Sequence, residues 1–117
     1  MFTEMLDRVL NETPGAVAVT LMGFDGIAIE SRTAGDASQH QVAIIELGNI
    51  ASQLRRISET MGTGEMNEVM VQTGALTTLL RPLTEDYFLA LSLSPGGSSG
   101  KGRYLMRVVG PRLKSEL

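Results

Sequence analysis

Apolar side chains recur along the 117-residue chain with two different spacings, and the changes between them divide it into eight elements. Steps of three and four residues predict helices at residues 2–12, 39–61 and from 103 onward, with Gly110-Pro111 expected to kink or restart the last one. Alternating and β-branched runs predict five strands. These strands are expected at residues 16–22, 27–31, 65–73, 76–82 and 87–94.

Short turns join consecutive strands, so strands that are neighbours along the chain are expected to pair antiparallel. Both faces of the sheet are partly apolar, which places helices on both sides. The predicted fold is therefore an α/β (α+β) three-layer α/β/α sandwich with a five-stranded antiparallel sheet. Its element order is α-β-β-α-β-β-β-α, and one domain is expected to span residues 1–117.

The first two strands are joined by Asp25-Gly26, a pair that favours a two-residue type I′ hairpin turn. Such a turn would pair Phe24 with Ile27, and Met22 with Ile29, on one face. Phe24 is one of only three phenylalanines, and turn tips normally meet water. Its place beside the turn therefore needs an explanation.

The longest predicted helix has two apolar stripes rather than one. Ile44, Gly48 and Ala51 form a stripe of smaller residues beside the larger one. A helix that is apolar on two faces usually has two neighbours, and only one of them can be the sheet. The larger stripe consists of Leu47, Ile50, Leu54, Ile57 and Met61.

Composition narrows the class of protein further. Hydrophobic content of 43% and charge of 20% are typical of a globular domain. The absence of cysteine excludes disulfides, thiolate metal sites and cysteine nucleophiles. No secretion signal or long apolar run is found in the sequence, which predicts a cytoplasmic protein without membrane insertion.

Patterns for catalysis are incomplete. The stretch "SPGGSSGKG" lies where a phosphate-binding loop would, but it lacks the glycine spacing and the hydroxyl after lysine that such a loop requires. His40, the only histidine, is expected to be a polar surface residue near a helix start, because no partner for a triad or metal site is spaced around it. Arg55 and Arg56 are interpreted as exposed cations near a helix C-terminus, with an arginine finger as the alternative. We expect no enzyme, no catalytic residue, no metal and no cofactor.

The net charge of −3 is unevenly distributed, because the last 20 residues are basic. Such a segment suits nucleic acid, anionic lipid or simply the solvated face of a helix, and the solvated face is favoured. No nucleic-acid partner is expected. The bases are Lys101, Arg103, Arg107, Arg112 and Lys114, with Glu116 as the one acid.

This order of elements, with a "DG" hairpin between the first strands, resembles the roadblock (dynein light chain roadblock) family. Within it the chain is most similar to bacterial regulators of the MglB and MglC type, which act on Ras-like GTPases in cell polarity and gliding motility. The resemblance covers nearly the whole chain. The matching stretches are "PGAVAVTLMGFDGIAIES", "HQVAIIELGNIASQLRRISETM", "EVMVQTGALTTLLRPLTEDYFLALSLS" and "GKGRYLMRVVGPRL".

The resemblance implies a homodimer in which the third strand pairs with its symmetry mate and the long helices pack together. The strand contains no proline, and Gly48 costs about 1 kcal/mol in helix propensity, which favours a close neighbour there. The alternative is that the acidic start of the strand guards an unpaired edge. The expected interface residues are Ile44, Gly48, Ala51, Glu65, Asn67, Val69 and Val71.

The resemblance also implies a non-enzymatic adaptor that binds a second, MglB-like roadblock protein and so, or directly, modulates a Ras-like (MglA-like) GTPase. Because the second strand would lie at the outer sheet edge, Phe24, Asp25 and Ile27 are expected to contact that partner. The alternative is that Phe24 lies in the core beneath the first or last helix. Arg55 and Arg56 are possible GTPase contacts.

Two other functions are alternatives to the adaptor. A small-ligand sensor would need converging polar groups, for which the candidates are Thr77, Thr78, Ser92 and Ser94. A nucleotide-binding enzyme would have to use the incomplete "GGSSGKG" loop.

Overall fold

A computed structural model describes all residues 1–117, and it contains the eight predicted elements in the predicted order. None of the three helices combines the length and apolar character needed to span a bilayer. The helices are α1 (Phe2–Glu12), α2 (Ser38–Met61) and α3 (Ser99–Ser115). The strands are β1 (Ala16–Gly23), β2 (Ala28–Thr33), β3 (Val69–Gln72), β4 (Thr77–Pro82) and β5 (Tyr87–Leu93).

The five strands form one antiparallel sheet in the order β2-β1-β5-β4-β3. The last strand in the chain, β5, inserts between β1 and β4 and so joins the two hairpins, β1–β2 and β3–β4. Strands β2 and β3 are left at the two edges, each with one side free of strand partners. The predicted three-layer sandwich is confirmed.

The two faces of the sheet carry cores of different size. Helices α1 and α3 cover one face and share a cluster of 14 buried apolar residues with it, including Leu6, Leu91 and Leu105. Helix α2 covers the other face, where the buried apolar cluster has seven members, including Ile44 and Phe88. The smaller core is supplemented by polar side chains described below.

The two apolar stripes of α2 do not face the neighbours that the sequence predicts. Ile44, Gly48 and Ala51 are buried against the chain's own sheet, with the α-carbon of Gly48 so close to Phe88 that an added Cβ would lie 3.0 Å from the ring. They cannot contact a second helix, so their placement in a dimer interface is wrong. The exposed apolar side chains of α2 include three members of the larger stripe, Ile50, Ile57 and Met61.

Two boundaries also differ from the prediction. Strand β3 has only four paired residues, because residues 65–68 make no ladder with β4. Helix α3 begins at Ser99, where the Ser98 hydroxyl accepts a hydrogen bond from the Lys101 amide at 3.2 Å. One continuous helix passes through Pro111, so a restart at Gly110-Pro111 is not found.

Candidate functional site

The β1–β2 turn lies at one end of the sheet, beside edge strand β2, and its geometry differs from the predicted type I′ hairpin. The Gly26 amide donates to the Gly23 carbonyl at 2.9 Å, so Phe24 and Asp25 occupy the two central positions. Only Gly26 has a positive φ, of 89°, and a type I′ turn would need one at Asp25 as well. Met22 consequently pairs with Ala28 rather than Ile29.

Phe24 is half-buried at this corner, on the α2 side of the sheet. Its ring lies against Phe88 with a centroid distance of 4.9 Å and a tilt of 56°. The guanidinium of Arg55 covers the ring at 4.3 Å from its centroid. The alternative placement beneath the first or last helix is wrong, because both of those helices are on the opposite face.

Asp25 and Ile27 are exposed at the same corner, and Ile27 is 68% exposed. The Asp25 carboxylate accepts a hydrogen bond from the Ile27 amide at 3.0 Å, which fixes the shape of the turn. The turn therefore holds an apolar side chain in water next to a negative charge. We call Phe24, Asp25 and Ile27 the corner patch.

Arg55 ties this corner to helix α2. Its guanidinium donates to the carbonyls of Thr84 at 2.6 Å and Glu85 at 3.0 Å, both in the β4–β5 turn, while it covers Phe24. The prediction that Arg55 is a free surface cation is therefore wrong. Arg56, on the next position of the helix, is exposed and has no ion-pair partner.

His40 is buried, with 1% of its surface exposed, so the prediction of a surface residue is also wrong. Its Nε2 lies 2.8 Å from the Thr20 hydroxyl and its Nδ1 lies 2.6 Å from the Ser92 hydroxyl. Thr20 continues to Ser31 at 2.7 Å, and Ser92 continues to Thr78 at 3.1 Å. Burial lowers the pKa of His40 to about 4, so the imidazole is neutral near pH 7.

This chain of hydrogen bonds crosses four strands, β2, β1, β5 and β4, and its middle member comes from α2. It satisfies polar groups that would otherwise be costly beneath the helix. Thr78 and Ser92, which were candidate ligand-binding groups, are both engaged in it. Of the other two, the Ser94 hydroxyl donates to the Gly15 carbonyl at 3.2 Å, and Thr77 makes no side-chain hydrogen bond.

A shallow apolar groove of about 250 Å³ separates α2 from the β3–β4 hairpin. Leu47 and Ile50 of the helix form one wall, and Val71 and Leu76 of the hairpin form the other. Val71 is exposed on edge strand β3, whereas Val69 is half-buried against the α2 core. Glu65 and Asn67, which precede the strand, are exposed.

A second cleft, of about 650 Å³, lies at the C-terminal end of α2 and is mostly polar. Its charged groups are mixed in sign, with Glu59, Glu65 and Glu85 facing Arg55 and Lys114. Nowhere in the chain are three or more His, Asp or Glu side chains grouped as metal ligands.

The sandwich has two sheet edges without strand partners, and apolar side chains are exposed beside both of them. The chain belongs to the Roadblock/LC7 family, whose domain model matches residues 2–92. No protein with a curated functional description matches it significantly.

Solved structures of roadblock proteins are similar over almost the whole chain. MglC from Myxococcus xanthus is 38% identical, with 99% of this chain and 98% of that one covered and a TM-score of 0.71. The gliding protein MglB from Thermus thermophilus is 17% identical, with 98% and 89% covered and a TM-score of 0.83. An MglB structure with a tetrameric arrangement is also 17% identical, with 97% and 85% covered and a TM-score of 0.84.

Proposed function

We propose that this chain is a non-enzymatic regulatory adaptor, a single cytoplasmic roadblock domain that forms a homodimer and binds a second, MglB-like roadblock protein. Through that complex, or directly, it modulates a Ras-like (MglA-like) small GTPase in bacterial cell polarity and gliding motility. The observation that carries the proposal is the 38% identity to MglC, which extends over nearly the whole of both chains.

The homodimer is proposed to use edge strand β3 and the flank of α2 that faces it. Val71 and Met70 are exposed on a strand with one free side, and Ile50 and Ile57 are exposed on the helix at 49% and 53%. Pairing two copies of β3 would satisfy unpaired backbone groups and cover the groove beside them. Glu65 and Asn67 then lie at the margin of the interface, with Val69 beneath it.

The partner roadblock protein is proposed to bind the corner patch, at the sheet edge away from β3. Ile27 supplies an apolar side chain that water now surrounds, and Asp25 supplies a charge that can pair across an interface. Phe24 is the floor of this patch, because its ring is held between Phe88 and Arg55. Arg56 remains a possible GTPase contact, whereas Arg55 acts by holding the patch in place.

Titration calorimetry of the dimer with Myxococcus xanthus MglB tests the corner patch. Ile27→Glu is expected to weaken binding by more than about tenfold, the loss typical of a central interface side chain. Val42→Glu is the matched control, because Val42 is also 68% exposed and lies on α2 away from the patch. Equal binding by both variants would exclude the corner patch, and no binding by the unmodified protein would exclude this class of partner.

Size measurement tests the dimer separately. The unmodified protein is expected to elute as a dimer, and Ile57→Glu as a monomer with an unchanged circular dichroism spectrum. A monomeric unmodified protein would contradict the proposed interface.

A further inference from the structure

Helix α3 carries an excess of positive charge that the interactions above do not use. Five of the chain's ten lysines and arginines lie on it and none of its 13 acidic residues does. Only Arg103 has a carboxylate partner, Glu68 at 2.7 Å. The other four cations, which are Lys101, Arg107, Arg112 and Lys114, are exposed and form no ion pair.

The arrangement of these cations follows from the helical repeat. The buried side of α3 is apolar, so at 3.6 residues per turn Tyr104 and Pro111 lie along the middle of the outer side. Arg107 and Lys114 lie on one flank of this line and Lys101 on the other. The exposed outer side is thus an aromatic and small-residue ridge with bases on both flanks, spread over about 20 Å of helix.

Tyr104 is 48% exposed, with the Lys101 ammonium 5.6 Å from its ring. An exposed tyrosine between bases is typical of a helix that lies in the headgroup region of a membrane, where the ring reaches the acyl boundary and the cations extend sideways to phosphates. A nucleic-acid strand would instead be bound along a groove with several stacking rings. Helix α3 is convex and has one ring.

We infer that the outer face of α3 is a docking surface for membranes rich in anionic phospholipid, held at the surface by its cations and Tyr104. A cluster of four to eight lysines and arginines on one amphipathic helix is the pattern that binds such surfaces, and each cation strengthens partition about fivefold at low salt. Helix α2 lies on the other side of the sheet, and of the four unpaired cations only Lys114 lines the cleft that contains Glu65 and Asn67, so most of this surface lies outside the proposed dimer interface.

Co-sedimentation of the full chain with vesicles tests this inference. Vesicles of phosphatidylcholine containing about 30% phosphatidylglycerol are expected to bind the protein at about 50 mM NaCl and to release it at about 300 mM. Vesicles of phosphatidylcholine alone are expected not to bind it. No binding to the anionic vesicles, or equal binding to both compositions, would overturn the inference.

Charge reversal locates the surface. Arg107→Glu is expected to weaken partition at least about fivefold, and Arg56→Glu less than about twofold. Both positions are exposed arginines without ion pairs, so the two variants change the net charge equally. They lie on opposite sides of the sheet, so only their location differs. Lys101→Glu is a second variant, whose new carboxylate lies in the first turn of α3 where the helix dipole favours it.

Equal losses for Arg107→Glu and Arg56→Glu would overturn the assignment to α3, because net charge alone would then explain binding. Binding to a short DNA duplex without binding to the anionic vesicles would overturn it too, in favour of nucleic acid. Thermal unfolding of each variant is the control that the fold is retained.

Discussion

Acidification should destabilise the fold through His40, the one histidine of the chain. In the folded protein the imidazole is surrounded by hydroxyl groups, has no carboxylate among its hydrogen-bond partners and is 1% exposed. Burial lowers its pKa from 6.5 to about 4. The unfolded chain therefore takes up a proton at a pH where the folded chain does not, and stability must fall as the pH falls.

The size of the effect follows from the two pKa values. The contribution of His40 to stability is fully present above about pH 6.5 and falls as the pH drops from there toward the folded-state value. Between about pH 7.5 and about pH 5 the loss amounts to about 2 kcal/mol, and below about pH 4 it reaches about 3 kcal/mol. A loss of this size is a substantial part of the stability of a small domain.

Urea unfolding at a series of pH values measures this loss, and His40→Gln provides the reference. Glutamine does not titrate, so carboxylates and the rest of the chain alone determine the pH dependence of the variant. The difference in slope between the two proteins from about pH 7.5 to about pH 5 isolates the histidine. The variant is expected to be less stable at neutral pH by about 1–3 kcal/mol, because one hydroxyl of the network loses its partner.

The same reasoning can be refuted directly by nuclear magnetic resonance. A single histidine gives one imidazole Cε1 proton signal, which needs no assignment. A titration midpoint near the ordinary value of about 6.5 would show that the ring is not desolvated in the folded protein. Parallel pH dependence of the unmodified protein and His40→Gln would refute the linkage.

Three further substitutions test the packing. Gly48→Val should lower the free energy of unfolding by about 2 kcal/mol in urea, because its Cβ would already lie 3.0 Å from the Phe88 ring; unchanged stability would contradict the close approach. Arg55→Ala should lower the free energy of unfolding by about 1–3 kcal/mol, because two hydrogen bonds to carbonyls are lost and the Phe24 ring is uncovered. Arg55→Lys should recover only part of that loss, because lysine lacks the planar guanidinium that donates to both carbonyls. Arg103→Ala should leave the melting temperature almost unchanged, because its ion pair with Glu68 is exposed to solvent. A clear loss in thermal unfolding would show a role for Arg103 beyond that pair.

The order and type of the elements could be predicted because each depends on local spacing and turn residues. The strand order could not be derived from that spacing. Insertion of β5 between β1 and β4 depends on contacts distant in sequence, which alternation along one strand does not encode. The antiparallel pairing of adjacent strands was predicted because short turns allow nothing else.

The two apolar stripes of α2 show what helical periodicity cannot predict. A helical pattern identifies two apolar faces but not which one meets the sheet. The small residues Gly48 and Ala51 were the available signal, because a glycine on a helix allows close approach to whatever lies beneath it, and here that is Phe88. Ile50, Ile57 and Met61 of the larger stripe lie on the exposed flank, whereas Leu47 of that stripe is buried.

His40 and Arg55 were misplaced for a common reason. Each is polar, and each is engaged by groups from strands or turns that are remote along the chain. The one sequence signal for a polar site inside the sandwich was the presence of Thr20 and Ser92 within apolar strands. Hydroxyl groups in a buried strand need hydrogen-bond partners. The partner itself could be identified only once the helix was placed above them.

Because the two cores of the sandwich differ in size, its helical layers differ in local stability. Fourteen buried residues join α1 and α3 to the sheet, whereas α2 rests on seven and on the His40 bonds. Local opening costs least where few apolar contacts are lost, so α2 is the layer that detaches first. Its amides should exchange with deuterium ahead of those in β1 and β5, while the sheet with its opposite helices persists as a two-layer intermediate.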